Sequence, residues 1–441
     1  MVYNVYGRRK GFEMLCPLGS YPLLMRRDAD DRGEMVKFLT EETSTGAASS
    51  LYVHIPFCDS LCNFCCFYRV LLEENRAESY LNTLKTEIMR YSDTEYIRSS
   101  SFGSVYIGGG TPTSLETEQL AELLTLLRER FHILSDAEIT VETTTHNAKR
   151  EKLEALYENG VNRLSFGVQT FNDATREVLT LKDTSSDAIS VIRSAQDIGF
   201  DNIDIDLMYN LPGQGMDDWK RDLQCTAELG LESISTNPLF VARGTAFARE
   251  IEKGKVSKIS DDRTEIDMYL LAIRELESAG YQQQNLVHFM LPEKEHAYAK
   301  MRFGQCDCLA LGASAWGFLG GYLYGNARGI ARYTESVIAG AESEYPVSRC
   351  ARLSKDEMMR RYIIGSLHSI SIDRDEFTRL FGVELTDIFR ERIKGLLERG
   401  LIVSDDSTIT LTDAGKVWCT NVAEEFCPDQ CVAIFEKMFG D

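Results

Sequence analysis

A chain of 441 residues is too long for one compact core, so a large domain with a smaller companion is expected. Its composition, 44% hydrophobic, 10% aromatic and 26% charged, excludes a disordered, collagen-like or coiled-coil chain. The 48 Lys and Arg against 68 Asp and Glu leave a formal net charge of -20, which repels a phosphate backbone and sets nucleic acid aside as a partner.

Residues 1–50 read as an irregular extension closing on the small polar linker TSTGAASS. Its start has a basic cluster but no apolar run of signal-peptide length, and no later stretch reaches membrane-spanning length. A cytoplasmic chain without a transmembrane segment is expected. From residue 51 short β-branched runs alternate with helical patterns: LYVHI (51–55), SVYIG (104–108), EITVE (138–142), RLSFG (163–167), NIDIDLM (202–208) and SISTN (233–237). The stretch Leu115 to Phe131 is an amphipathic helix pattern entered by a capping box from Thr113 to Glu116. Such βα alternation builds a parallel sheet with helices outside, and suits an incomplete barrel as well as an open doubly wound sheet. This α/β domain is expected over 51–340. A third unit, 341–441, holds helical patterns followed by the two-strand signal LIVSDDSTITLTDAGKVW, the outline of a winged helix. Without a basic footprint, a small lid or docking domain is expected there rather than a DNA reader.

The twelve cysteines, in a long chain with no export signal, read as reduced thiols. Cys16, Cys225, Cys350 and Cys419 read as small buried hydrophobes, Cys306 and Cys308 flank Asp307, and Cys427 and Cys431 read as thiols of a flexible tail. HIPFCDSLCNFCCF, His54 to Phe67, is different: four cysteines in nine residues. Cys58, Cys62 and Cys65 are spaced C-x3-C-x2-C on the loop after the first strand. Three thiolates can hold a [4Fe-4S] cluster and leave one iron open. That iron can chelate the amino and carboxylate groups of S-adenosylmethionine (SAM) and deliver one electron to break a carbon–sulfur bond. Structural zinc, with His54 or Cys66 as fourth ligand, draws on the same residue types. The position after an apolar strand opening a βα domain favours the cluster.

The C-x3-C-x2-C spacing, with Phe64 before the third cysteine, resembles the radical SAM superfamily. YVHIPFC, YIGGGTPTSL, NRLSFGVQTFN and DLMYNLPGQ together resemble the oxygen-independent coproporphyrinogen III oxidase family, called HemN-like, over residues 51–340, and the C-terminal segment is similar to that family's appended domain. The resemblance implies a partial (βα)6 barrel with a small helical, winged-helix-like domain, a [4Fe-4S] cluster on Cys58, Cys62 and Cys65, and two molecules of SAM. It implies that Gly108, Gly109, Gly110 and Thr111 lie along the cluster-bound SAM, that Glu142 accepts from its ammonium, and that Gln169 and Asp206 hold the ribose. Tyr52, Phe64 and Ala310 are further cofactor-site positions, and CDCLALGASAWGFLGGY (306–322) resembles the lining of the second SAM site and substrate cavity. A flavodoxin or ferredoxin is the implied electron donor.

Two positions depart from the family pattern. Where it has an arginine for the methionyl carboxylate, this chain has Leu181 and Lys182, and Lys182 is the substitute, a point charge in place of a fork. Where the decarboxylating oxidases have a fourth cysteine, this chain has Phe67, with Cys66 one residue earlier. His288 is expected to be structural. Among the activities of HemN-like proteins, the expectation is methylation of an sp2 carbon on a planar substrate, a tetrapyrrole, quinone or heteroaromatic. Porphyrinogen decarboxylation and haem handling are the alternatives.

Overall fold

The computed structural model describes residues 2–3, 5–6, 30–338 and 345–433, so Cys16 lies outside the described residues. Six strands fall where β-branched runs occur: β1 (Ser49–Ile55), β2 (Phe102–Gly109), β3 (Ile133–Thr143), β4 (Arg163–Gln169), β5 (Ile203–Tyr209) and β6 (Ser233–Pro238). They continue into β7 (Gln282–Gln283), β8 (His288–Met290), β9 (Cys308–Leu311), β10 (Trp316–Leu319), β11 (Tyr322–Asn326) and β12 (Val347–Arg352). The 12-stranded sheet has the order β12-β11-β10-β9-β1-β2-β3-β4-β5-β6-β8-β7, with β9 and β1 to β6 mutually parallel.

Strands β1 to β6 follow one another in chain order. A doubly wound sheet would reverse that order at a switch point and put helices on both faces. Here every right-handed crossover returns on the same side, which curls the sheet into an open barrel with helices outside. The residues agree. Leu51, Val53, Ile107, Val141, Leu164, Ile205 and Ile234 are fully buried on the helix side. The alternate positions, Tyr52, Tyr106, Glu142, Ser165, Asp204, Asp206 and Ser235, are polar or aromatic and share the other face by register. Parallel strands covered on both faces read as continuous apolar runs, so this alternation marks a face reserved for something other than a helical layer. Among the described residues no helix is long and apolar enough to cross a membrane.

Several boundaries differ from expectation. The extension before residue 50 contains a helix, Arg32–Glu41, rather than only irregular chain: Met35 and Leu39 are buried, and Asp31 N–H donates to Cys350 O at 3.2 Å. The helix expected over Leu115 to Phe131 runs Thr117–Arg130 and is boxed by Glu116 and Gln119, because Pro112 starts a separate 3-10 turn that absorbs Thr113. Strand β12 (Val347–Arg352) lies beyond the expected joint at 340 and still belongs to the large sheet.

Beyond it, the helix Lys355–His368, capped by a Ser354–Glu357 box, leads into β13 (Ser371–Asp373), three helices, β14 (Ile402–Ser404) and β15 (Thr408–Leu411). The small sheet order β13-β15-β14 completes a winged-helix topology. Cys427 and Cys431 are buried in its packing, not on a flexible tail. The joint between the two units is tight at Gly365, where a Cβ would stand 2.2 Å from Phe303 O. Gly365→Ala is therefore expected to cost about 1–3 kcal/mol, read as a lowered thermal midpoint. An unchanged midpoint would contradict this contact.

Candidate active site

The cysteine loop leaves the carboxyl end of β1 and is pinned at both ends. Val70 N–H donates to Pro56 O and Leu72 N–H to Cys58 O, both at 2.8 Å, so Phe57–Cys58 and Val70–Leu71 form a short parallel pair. Inside the loop Arg69 Nη2 donates to Cys62 O at 2.7 Å. Asn63 ties the loop to its surroundings, its Nδ2 donating to Val178 O and to Glu250 Oε2, each at 3.0 Å. Phe64 packs against the apolar group of Leu179, Met208, Leu211, Leu239 and Phe247. Burial pushes the Cys58 thiol up to about 11, against a lowering contact from Thr111, and burial also raises Cys62 and Cys65. Such thiols bind iron by exchanging a proton for the metal.

The glycine run is laid directly on this loop. Gly110 N–H donates to Ile55 O at 2.8 Å, Thr111 N–H to Phe57 O at 2.7 Å, and Thr111 Oγ1 to Cys58 Sγ at 3.5 Å. A Cβ at Gly110 would lie 2.6 Å from Phe57 O and 3.0 Å from Cys58 Sγ, so any side chain there would fill the cradle. Gly109, at φ +122°, turns its N–H onto Glu142 Oε2 at 2.7 Å. Tyr106 donates to Glu142 Oε1 at 2.7 Å, and burial raises this carboxyl. Three thiols on a braced loop, a glycine wall and a buried carboxylate beside them fit a three-cysteine cluster with an amino acid chelated at its open iron.

Across the polar face, burial lifts Asp206 to about 7, aided by the charges of Asp204 and Glu142, while Ser165 Oγ donates to it at 3.3 Å. Arg163, wholly buried, lies 3.4 Å from Asp204 and 4.0 Å from Glu138. Gln169 ends β4 at φ 69°, and the register slips between Gly167 and Gln169. A bulge and a left-handed non-glycine residue cost about 1–3 kcal/mol and cluster at functional sites. Tyr52, Tyr106 and Tyr298 form a stacked platform, with Tyr106 and Tyr298 4.5 Å apart at 27°. Ala310 lies beside Tyr52 in the neighbouring strand, and the turn after it, with Gly312 and Ser314 at positive φ, is held by Glu87, which accepts from Gly312 N–H at 2.8 Å.

The structure thus brings together Cys58, Cys62, Cys65, Gly108 to Thr111 and Glu142 at one end of the sheet, with Gln169 and Asp206 on the adjoining strands. Lys182 is exposed on the turn beyond Asp173–Val178. The buried guanidinium nearby is Arg176, which donates to Val168 O and Thr170 O at 2.9 Å and so holds the Gln169 turn from behind. Phe67 is 66% exposed and Cys66 is exposed, so neither follows the three thiols inward. Asn63 and Tyr106 lie inside the quoted motifs and Arg69 and Arg176 beside them, but nothing in the sequence singles out their roles.

Known proteins align with this geometry. The radical SAM superfamily matches residues 52–225, and the HemN C-terminal domain matches residues 353–418. The heme chaperone HemW of Bacillus subtilis (strain 168) is 30% identical over 370 residues, covering 83% of this chain and 96% of that protein. An anaerobilin synthase of Escherichia coli O157:H7 is 28% identical over 411 residues, 92% of this chain and 89% of that one. The oxygen-independent coproporphyrinogen III oxidase of Salmonella typhimurium is 31% identical, covering 85% and 84%. The solved structure of coproporphyrinogen III oxidase (HemN) from Escherichia coli superimposes with a TM-score of 0.81 at 27% identity over 92% of this chain and 96% of that one. Replacing Cys58, Cys62 or Cys65 with Ser should abolish iron and sulfide retention after anaerobic reconstitution, whereas Cys66→Ser should leave both intact. Cluster loss in the Cys66 variant alone would overturn the ligand set.

Proposed function

We propose, for a chain that belongs to the radical SAM superfamily and within it to the HemN-like family, that the substrate is a tetrapyrrole. The observation that carries this reading is the polar inner face edged by three stacked tyrosines, a lining suited to a flat ring with polar substituents. The names of the relatives, a heme chaperone, an anaerobilin synthase and a coproporphyrinogen III oxidase, support it.

The chain is a radical SAM enzyme, with a [4Fe-4S] cluster and SAM as its cofactors. When bound, they supply a carbon radical that removes a hydrogen atom. In our assignment Cys58, Cys62 and Cys65 hold the cluster, and Gly108 to Gly110 with Thr111 give the methionyl group a backbone wall. Glu142 offers its carboxylate to the ammonium, and Asp206 and Gln169 orient the ribose. Tyr52, Phe64 and Ala310 close the wall and exclude water. A one-electron donor of the flavodoxin or ferredoxin kind completes the system.

Two reactions fit such a site. Oxidative decarboxylation takes a hydrogen from a propionate side chain, releases carbon dioxide and passes an electron to an acceptor; the oxidase relatives speak for it. Methyl transfer to an sp2 carbon, using a second SAM, is favoured by one observation, the exposed Phe67 at the fourth-cysteine position. Anaerobic incubation with reductant, SAM and either coproporphyrinogen III or haem separates them. 5'-Deoxyadenosine with carbon dioxide identifies decarboxylation, and 5'-deoxyadenosine with S-adenosylhomocysteine and one added methyl identifies transfer. Tight haem binding with neither product identifies a carrier. Absence of both turnover and binding with every tetrapyrrole would overturn the proposal.

A further inference from the structure

Gln169 stands at the centre of a three-residue turn, with φ 69° and Thr170 N–H donating to Val168 O at 2.9 Å. A γ-type turn of this hand is rare and strained for a residue other than glycine, so it persists only where the surroundings impose it. Its consequence is a placement. A Cβ on Gly167 would stand 2.9 Å from Gln169 Nε2, and Gly167 is the cross-strand partner of Asp206. The turn therefore folds the Gln169 amide back to the glycine that neighbours Asp206.

Two side chains of opposite charge hold the turn. Arg176 takes the carbonyls of Val168 and Thr170. Asp222, buried at 2% exposure within the helix Met216–Leu229, takes the donors: Phe171 N–H reaches its Oδ1 and the Thr170 hydroxyl its Oδ2, each at 2.8 Å. The same Oδ2 accepts from Gln214 Nε2 at 3.4 Å, while Gln214 Oε1 accepts from Leu211 N–H at 3.1 Å. One carboxylate thus ties the turn after β4 to the turn after β5, the strands that carry Gln169 and Asp206.

A carboxylate is a costly group to bury on the face of a helix, where an apolar residue would pack without penalty. Burial pushes this one up to about 6, against the lowering contacts of Phe171, Thr170 and Gln214 and with Asp218 adding to the rise. An apolar side chain could not close either turn, and an asparagine would set its own N–H groups against the donors on Oδ2. We propose that Asp222 is a positioning residue for the nucleoside of SAM: from the helix layer it fixes the Gln169 turn against the end of β5, so that Gln169 and Asp206 meet the ribose hydroxyls together. This rests on the ribose assignment of Gln169 and Asp206 made above.

The test titrates SAM and 2'-deoxy-SAM, which lacks one ribose hydroxyl, calorimetrically into the anaerobically reconstituted full chain, native, Asp222→Asn and Thr170→Val. The native protein should bind SAM more tightly than the 2'-deoxy analogue. Both variants should lose about tenfold in SAM affinity, bind the two ligands nearly equally, and keep the native iron and sulfide content. Thr170→Val removes one hydrogen bond and no charge, so it reports even where Asp222→Asn lowers the thermal midpoint. Variants that retain the native preference for SAM, or that weaken both ligands by the same factor, would overturn the positioning role and leave the ribose assignment standing. A native protein that binds both ligands equally, or neither, would overturn the ribose assignment and this inference with it.

Discussion

Parallel strands that follow one another in chain order, each crossing over right-handed, collect all their helices on one side and leave the other side of the sheet without a layer. Everything at the site depends on that one-sidedness. The apolar half of each strand, Leu51 and Val53, Val141, Leu164, Ile205, is sealed against the helices and supplies the stability. The other half is then available for side chains that no core would accept: Glu142, Asp204, Asp206 and Arg163 within a few strands of each other. Burying these groups is costly, and the raised carboxyl pKa values of Glu142 and Asp206 are the mark of that cost.

The cysteine loop uses the same sheet as its foundation. It begins where β1 runs out, and β2 ends in glycines so that its backbone can be zipped to that loop through Ile55 and Phe57. A thiol, a glycine N–H and a carboxylate are thereby brought together by adjacent strand ends, with Val178 and Glu250 holding the loop through Asn63 and Arg176 bracing the Gln169 turn. Further along, the register carries the polar row from Asp206 through Ser235 to His288 on the same surface.

Much of this was legible in the sequence, for physical reasons. Period-two runs such as EITVE and NIDIDLM announce strands with one polar face, and Glu142 and Asp206 stand at their carboxyl ends, where a parallel barrel gathers its chemistry. The spacing of Cys58, Cys62 and Cys65 is local, so it survives without a structure. What depends on long-range packing was not legible. Gln169 gives no hint of its left-handed backbone, the clamp on Asn63 comes from residues more than a hundred positions away, and the helix Arg32–Glu41 is fixed by β12 rather than by its own pattern. Lys182 sits beside the right motif but on the exposed side of a turn, and the burial of Cys427 and Cys431 is decided by the whole C-terminal domain.

Cys58, Cys62 and Cys65 are proposed to hold a cluster beside the glycine wall and Glu142. EPR of the anaerobically reconstituted, reduced protein with and without SAM tests it most directly. A [4Fe-4S] signal that changes on adding SAM, and does so only weakly in Glu142→Ala, is the result this account requires. A signal indifferent to SAM in the native protein would contradict it.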